Sequence, residues 1–159
     1  MKNVVKTTGV LSWINLCIGC LLVLGGVIMG IASGNPLNIL IFVLLPSAII
    51  LHSYASLQLK KSVINPDIPL GSQTPIGIRF MGYIMLFFSF FNIYSSVSIL
   101  LHAQEFVREI KLPPGSPNIN LTGVIRALFT IALLISVSFA VNAILNLRLL
   151  RWYMSQPKE

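Results

Sequence analysis

Between Lys6 and Lys60 the chain carries no Asp, Glu, Lys or Arg, a run of 53 residues. A stretch of that length cannot build a water-facing surface, because a typical soluble domain is about 25% charged. Two further uncharged runs lie between Arg79 and Glu105 and between Arg126 and Arg148, 25 and 21 residues long. A helix rising about 1.5 Å per residue needs roughly 20 apolar residues to cross a hydrocarbon core of about 30 Å. The second and third runs therefore hold one span each. The first holds two, divided at the turn signal Gly34-Asn35-Pro36. Spans are expected near 8–32, 37–59, 79–102 and 123–147. They are continuously apolar rather than alternating, which favours helices over a barrel. The whole chain, 159 residues of which only 9% are charged, then reads as all-α: a single domain over 1–159, an integral membrane four-helix bundle. Lys2 and Lys6 ahead of the first span mimic the start of a signal peptide, but the apolar run is too long for one, and a retained anchor is expected.

Orientation follows from the basic residues. Lys2, Lys6, Lys60, Lys61, Arg79, Arg148, Arg151 and Lys158 flank the two termini and the middle loop, eight in all, whereas Arg108, Lys111 and Arg126 are the three on the opposite side. The positive-inside rule then puts both termini in the cytoplasm. Trp13, Tyr54, Tyr83, Trp152 and Tyr153 fall toward the same end, as interfacial anchors do. The net charge of +7 is mostly this topology signal. Nucleic acid is not an expected partner, because the basic residues follow a membrane edge rather than cluster in a groove. Attraction to anionic lipid is a natural by-product.

The loop from Ser62 to Ile76 holds Pro66, Pro69, Gly71 and Pro75 and reads as an irregular connector. His102 to Leu112 reads as a polar continuation of the third helix, with Glu105, Arg108 and Glu109 spaced for pairing, ended by Pro113-Pro114-Gly115. Arg126 is expected to snorkel to the interface or meet Glu105 or Glu109. Ala55-Ser56-Leu57-Gln58-Leu59-Lys60 matches Ala143-Ile144-Leu145-Asn146-Leu147-Arg148 in pattern, compatible with a parallel hairpin duplication or with chance among leucine-rich helices.

Helix faces are read at 100° per residue. Ser12, Asn15, Gly19, Gly26 and Gly30 share a face of the first helix, and Gly26-x3-Gly30-x3-Gly34 is a small-residue series that admits a close backbone. Gly82, Met85, Ser89, Asn92 and Ser96 form a stripe on the third, with Phe80, Phe87, Phe91 and Tyr94 on the opposite side, which suits lipid. Asn38, Leu45, His52 and Ser56 share a face of the second, and Ser138, Asn142 and Asn146 a row of the last. Asn15, His52 and Asn142 fall at a common depth and are expected to meet. With Ser56, Asn92 and Ser138 they make up the candidate polar cluster or ligand site; Gly19, Gly26, Gly30 and Gly34 are the candidate packing residues. Interhelical hydrogen bonding is the plainer reading of the cluster, and a pocket for a ligand or lipid headgroup the sharper one.

Cys17-Ile18-Gly19-Cys20 is a CxxC in the wrong setting, since apolar surroundings raise a thiol's pKa and leave it inert. The acids are Asp67, Glu105, Glu109 and Glu159, none within an expected span, which disfavours a proton- or cation-coupled transporter. No carboxylate pair, nucleophile with base, phosphate loop or zinc spacing is present, so no catalytic residue, metal or cofactor is assigned and an enzyme is disfavoured. The expected function is a non-catalytic accessory or interaction subunit, whose partners are the lipid bilayer and another membrane protein or further copies of itself. The alternative is a small channel or carrier for a neutral or weakly polar solute, acting as an oligomer. A membrane redox or lipid-modifying enzyme comes third.

Overall fold

The computed structural model describes residues 2–34, 36–110 and 120–156, with Lys2, residues 36–42 and Leu45 described through the backbone only. Expectations attached to Asn35, to the side chains of Asn38 and Leu45, to Lys111, to Pro113-Pro114-Gly115 and to Lys158 lie outside the described residues. Among the described residues the regular elements are five helices: α1 (Lys2–Ala32), α2 (Pro36–Ile64), α3 (Thr74–Leu101), α4 (Ala103–Glu109) and α5 (Leu121–Met154). Among the described residues three segments, Asn3–Ala32, Thr74–Leu101 and Leu121–Met154, are long and apolar enough to cross a membrane, with mean hydropathies of 2.4, 1.9 and 2.3. A helix satisfies its own backbone groups, the requirement hydrocarbon imposes. The long helices overrun the uncharged stretches because nothing in the hydrogen-bond ladder stops where hydropathy does.

What ends them is local chemistry. Gly34 adopts φ 64, a left-handed conformation that glycine enters without penalty. There the last carbonyls of α1 find partners: Ser33 N–H donates to Met29 O at 3.0 Å, Gly34 N–H to Ile31 O at 3.1 Å, and Ser33 Oγ to Gly30 O at 2.8 Å. Gly34 is exposed, and among the described residues no atom lies within 4 Å of where a Cβ would stand. Its place in the packing series is therefore corrected: the residue serves backbone geometry, not helix contact. Asn120 caps α5, its Oδ1 accepting the Gly123 N–H at 3.0 Å.

The polar continuation of the third helix is also corrected. The helix breaks at His102 (φ −110, ψ 26), and α4 is a separate seven-residue element that ends at extended Ile110, ahead of the prolines. The His102 backbone N–H and its ring Nδ1 both reach Ser98 O, at 3.1 and 3.0 Å, a local side-chain bond of the kind that competes with helix propagation.

The chain divides into two compact units, Met1–Leu86 with Ser138–Glu159, and Phe87–Val137. In the first, α1 and α2 pack along one another. Ser12, Asn15, Gly19, Gly26 and Gly30 of α1 are buried while Cys17, Cys20, Leu21, Leu24 and Ile28 are exposed, so the small-residue stripe faces inward and the cysteines outward. Segments of four helices supply one apolar core: Leu59 of α2, Ile78 of α3, and Leu149 and Leu150 of α5, with Val5 of α1, Trp152 and Tyr153 against it. Thr74 Oγ1 donates to Gln58 Oε1 at 3.1 Å, tying the start of α3 to α2. In the second unit Phe106 of α4 meets Phe129 of α5 edge to face, centroids 6.3 Å apart, and Phe87, Phe91 and Tyr94 of α3 are exposed. Glu105, Arg108, Glu109 and Arg126 are exposed as well.

Candidate functional site

The first unit gathers the polar residues of three helices. Helical spacing of three and four stacks Ser12 under Asn15 on α1, His52 under Ser56 on α2, and Ser138, Asn142 and Asn146 along α5. Ser12, Asn15, His52, Asn142 and Asn146 have no exposed surface, and Ser56 has 2%. Ser12 Oγ lies 2.8 Å from Ser56 Oγ and donates to Asn142 Oδ1 at 3.2 Å. Asn142 Oδ1 also accepts from Asn146 Nδ2 at 2.9 Å, whose other bond is to Asn142 O at 2.9 Å. One turn along, Ser138 Oγ donates to Asn15 Oδ1 at 3.1 Å. One connected set thus joins α1, α2 and α5, and a second contact joins α1 to α5.

Of the six candidates for the cluster, Asn15, Ser56, Ser138 and Asn142 enter these bonds. His52 does not. Its ring lies against Gly82 of α3, where a Cβ would stand 3.2 Å from His52 Cε1 and 3.5 Å from Nδ1. The missing side chain at Gly82 is what admits the imidazole. The direct meeting of Asn15, His52 and Asn142 is replaced by a serine-bridged arrangement, because the short hydroxyls of Ser12 and Ser138 reach the amides first. Asn92 lies in the second unit, exposed, with Nδ2 donating to its own helix at Phe88 O, 3.0 Å away. Ser53 is fully buried and was not legible from the wheel, since it sits 100° from the stripe through His52.

Several atoms of this site lack a hydrogen-bond partner: Asn15 Nδ2, Asn142 Nδ2, Asn146 Oδ1 and Ser53 Oγ, while the His52 ring meets no side-chain partner and faces the backbone of Ile78. Folded proteins leave few such groups in a hundred residues. The set offers amide donors, one amide acceptor, and a hydroxyl and an imidazole that serve either way. None of these groups is a carboxylate or an ammonium, so what they offer is hydrogen bonding in both directions.

Gly19 lets α2 come close, since a Cβ there would stand 2.9 Å from Ile50 Cγ1. Gly26 and Gly30 are buried beside it along α1. Cys17 and Cys20 are free and exposed. Among the described residues no group of three His, Cys, Asp or Glu side chains is placed to hold a metal. Compared with family models, curated proteins and solved structures, the chain has no match.

Proposed function

We propose that the chain is a four-span integral membrane bundle, both termini in the cytoplasm, acting as a non-catalytic accessory or interaction subunit. The fourth span is α2, whose 29 residues match its neighbours in length and whose sequence is uncharged up to Lys60. The observation that supports the subunit role most is the Ser12–Ser56–Asn142–Asn146 network. Ser12, Ser56, Asn142 and Asn146 are joined to one another at 2% exposure or less. Their bonds tie α1, α2 and α5 together, and large apolar side chains such as Leu21, Leu24, Ile28, Phe87 and Phe91 are turned outward. The eight-to-three split of basic residues supports the orientation. Reporters fused after Glu159 or inserted at Gly71 are expected to read cytoplasmic, and one at Gly115 external; an external reading at Gly71 overturns the orientation. Native mass spectrometry after gentle extraction is expected to find a fixed complex, with another membrane protein or with further copies. A bare monomer under every extraction condition overturns the subunit role.

A second reading, a channel or carrier for a neutral or weakly polar solute, is favoured by the unpartnered buried atoms of Asn15, Ser53, Asn142 and Asn146. In hydrocarbon each such group costs several kcal/mol, about 2–7 for a buried amide or hydroxyl, which a passing solute would offset. Asn15→Leu with His52→Leu separates the readings. A folded double variant that keeps its complex with solute flux into proteoliposomes unchanged supports the subunit; one that keeps its complex and loses that flux supports the carrier.

A further inference from the structure

At one end of the first unit, α3 and α5 border a cavity of about 410 Å³, within the roughly 300–1,000 Å³ typical of small-molecule sites. Its polar wall is Arg79 and Tyr83 of α3 with Arg151 of α5; Leu147, Leu150 and Met154 form the apolar wall. Arg79 and Arg151 are both exposed, and an anion between them would offset their like charge. Among the described residues no acid lines this cavity. Each guanidinium presents a planar fork of N–H donors that matches phosphate oxygens two at a time, and the Tyr83 phenol adds a donor. Ser155 completes the rim, but its hydroxyl already donates to Trp152 O at 2.8 Å. Arg151 lies in the last turn of α5, where the helix dipole favours a cation, whereas Arg79, in the first turns of α3, gains nothing from that dipole. Arg79 itself borders an uncharged run of 25 residues, the position of a headgroup-depth residue.

We propose, resting on the membrane embedding argued above, that this cavity holds the phosphodiester of an anionic membrane lipid. The arginines and Tyr83 take the phosphate, and Leu147, Leu150 and Met154 lie along the glycerol and the first methylenes. A lipid fits better than free phosphate because half of the wall is apolar and would face a bare ion with nothing to match it.

The test uses the full chain in nanodiscs of phosphatidylcholine with phosphatidylglycerol, with retained phosphatidylglycerol counted by native mass spectrometry. Arg79→Gln and Arg151→Gln are each expected to lower its apparent affinity about fivefold, and together about twenty-five-fold. Arg148→Gln, on the same helix and outside the cavity, removes the same charge and is expected to change affinity by less than about twofold. An equal loss in Arg148→Gln overturns the site, since it means general attraction to a basic edge. A drop in thermal stability of Arg151→Gln with retention unchanged overturns it too, leaving a helix-end role. Displacement of the lipid by millimolar inorganic phosphate reassigns the cavity to free phosphate and overturns the lipid. A carbonate wash checks the premise separately: release of the wild-type chain from membranes removes the embedding, whereas a retained chain that holds no phosphatidylglycerol removes the site alone.

Discussion

Two glycines six residues apart on α1 have opposite surroundings, and their alanine variants should part in sign. At Gly19 a Cβ would stand 2.9 Å from Ile50 Cγ1 and 3.5 Å from both Ile50 N and Ile49 Cγ2. Ile50 is β-branched and held near one rotamer in a helix, so it cannot swing clear, and α1 and α2 must separate by a few tenths of an ångström. Overpacking of this kind costs about 1–3 kcal/mol. Alanine's helix advantage over glycine, about 0.8–1.0 kcal/mol, offsets part, so Gly19→Ala is expected to destabilise by about 0–2 kcal/mol. At Gly25 nothing lies within 4 Å, leaving only the propensity gain of up to about 1 kcal/mol. The propensity terms cancel in the difference between the two variants, which isolates the α1–α2 contact at about 1–3 kcal/mol. Unfolding in mixed micelles with increasing dodecyl sulfate measures it, followed by fluorescence of Trp152, which packs on the Leu59–Ile78–Leu149–Leu150 core. Equal destabilisation of both variants, or a larger effect at Gly25, would falsify the inward-facing stripe.

Ser12→Ala and Ser56→Ala each remove one side of a 2.8 Å contact. A double-mutant cycle should give a coupling near the membrane average of about 0.6 kcal/mol, and a coupling indistinguishable from zero refutes the bond. Gly82→Ala presses a methyl against His52 and should cost about 1 kcal/mol. That cost should largely vanish in a His52→Ala background, and its persistence there would place the strain elsewhere. Cys17→Ser and Cys20→Ser, singly or together, should leave stability within about 0.5 kcal/mol, as outward-facing substitutions do. Folded protein that loses a measurable activity with either change would instead revive a redox role.

The helices were legible because uncharged length and the cost of bare backbone in hydrocarbon are both written into the chain; the helices run up to seven residues past the expected spans, as at Met154, where the ladder continues past the last apolar turn. The inward faces of α1 and α3 were legible as well, since small and polar residues recur at helical spacing. Asn92 is the exception on α3: it sits at the margin of its stripe and bonds to its own helix. Partner choice was not legible. Whether Asn142 meets His52 or Ser12 turns on rotation and reach across helices, a matter of side-chain length and of the gap left by Gly82, neither of which a wheel of one helix contains. Gly34 was misread because a spacing of four does not distinguish a glycine inside a helix from one just past its end.

The network of serines and asparagines has an electrical consequence. A membrane potential acts on charge, at about 2.3 kcal/mol per elementary charge per 100 mV. The buried polar side chains among the described residues are Ser, Thr, Asn and the single imidazole of His52, and residues 7–59, 80–104 and 127–147 contain no Asp, Glu, Lys or Arg. Hydroxyl and amide dipoles bonded to one another have little freedom to realign. The transmembrane field therefore finds almost nothing to pull on in the interior of the first unit, and polarising the membrane should leave its packing unchanged. Any voltage response has to arise at the rim, where the arginines and lysines stand.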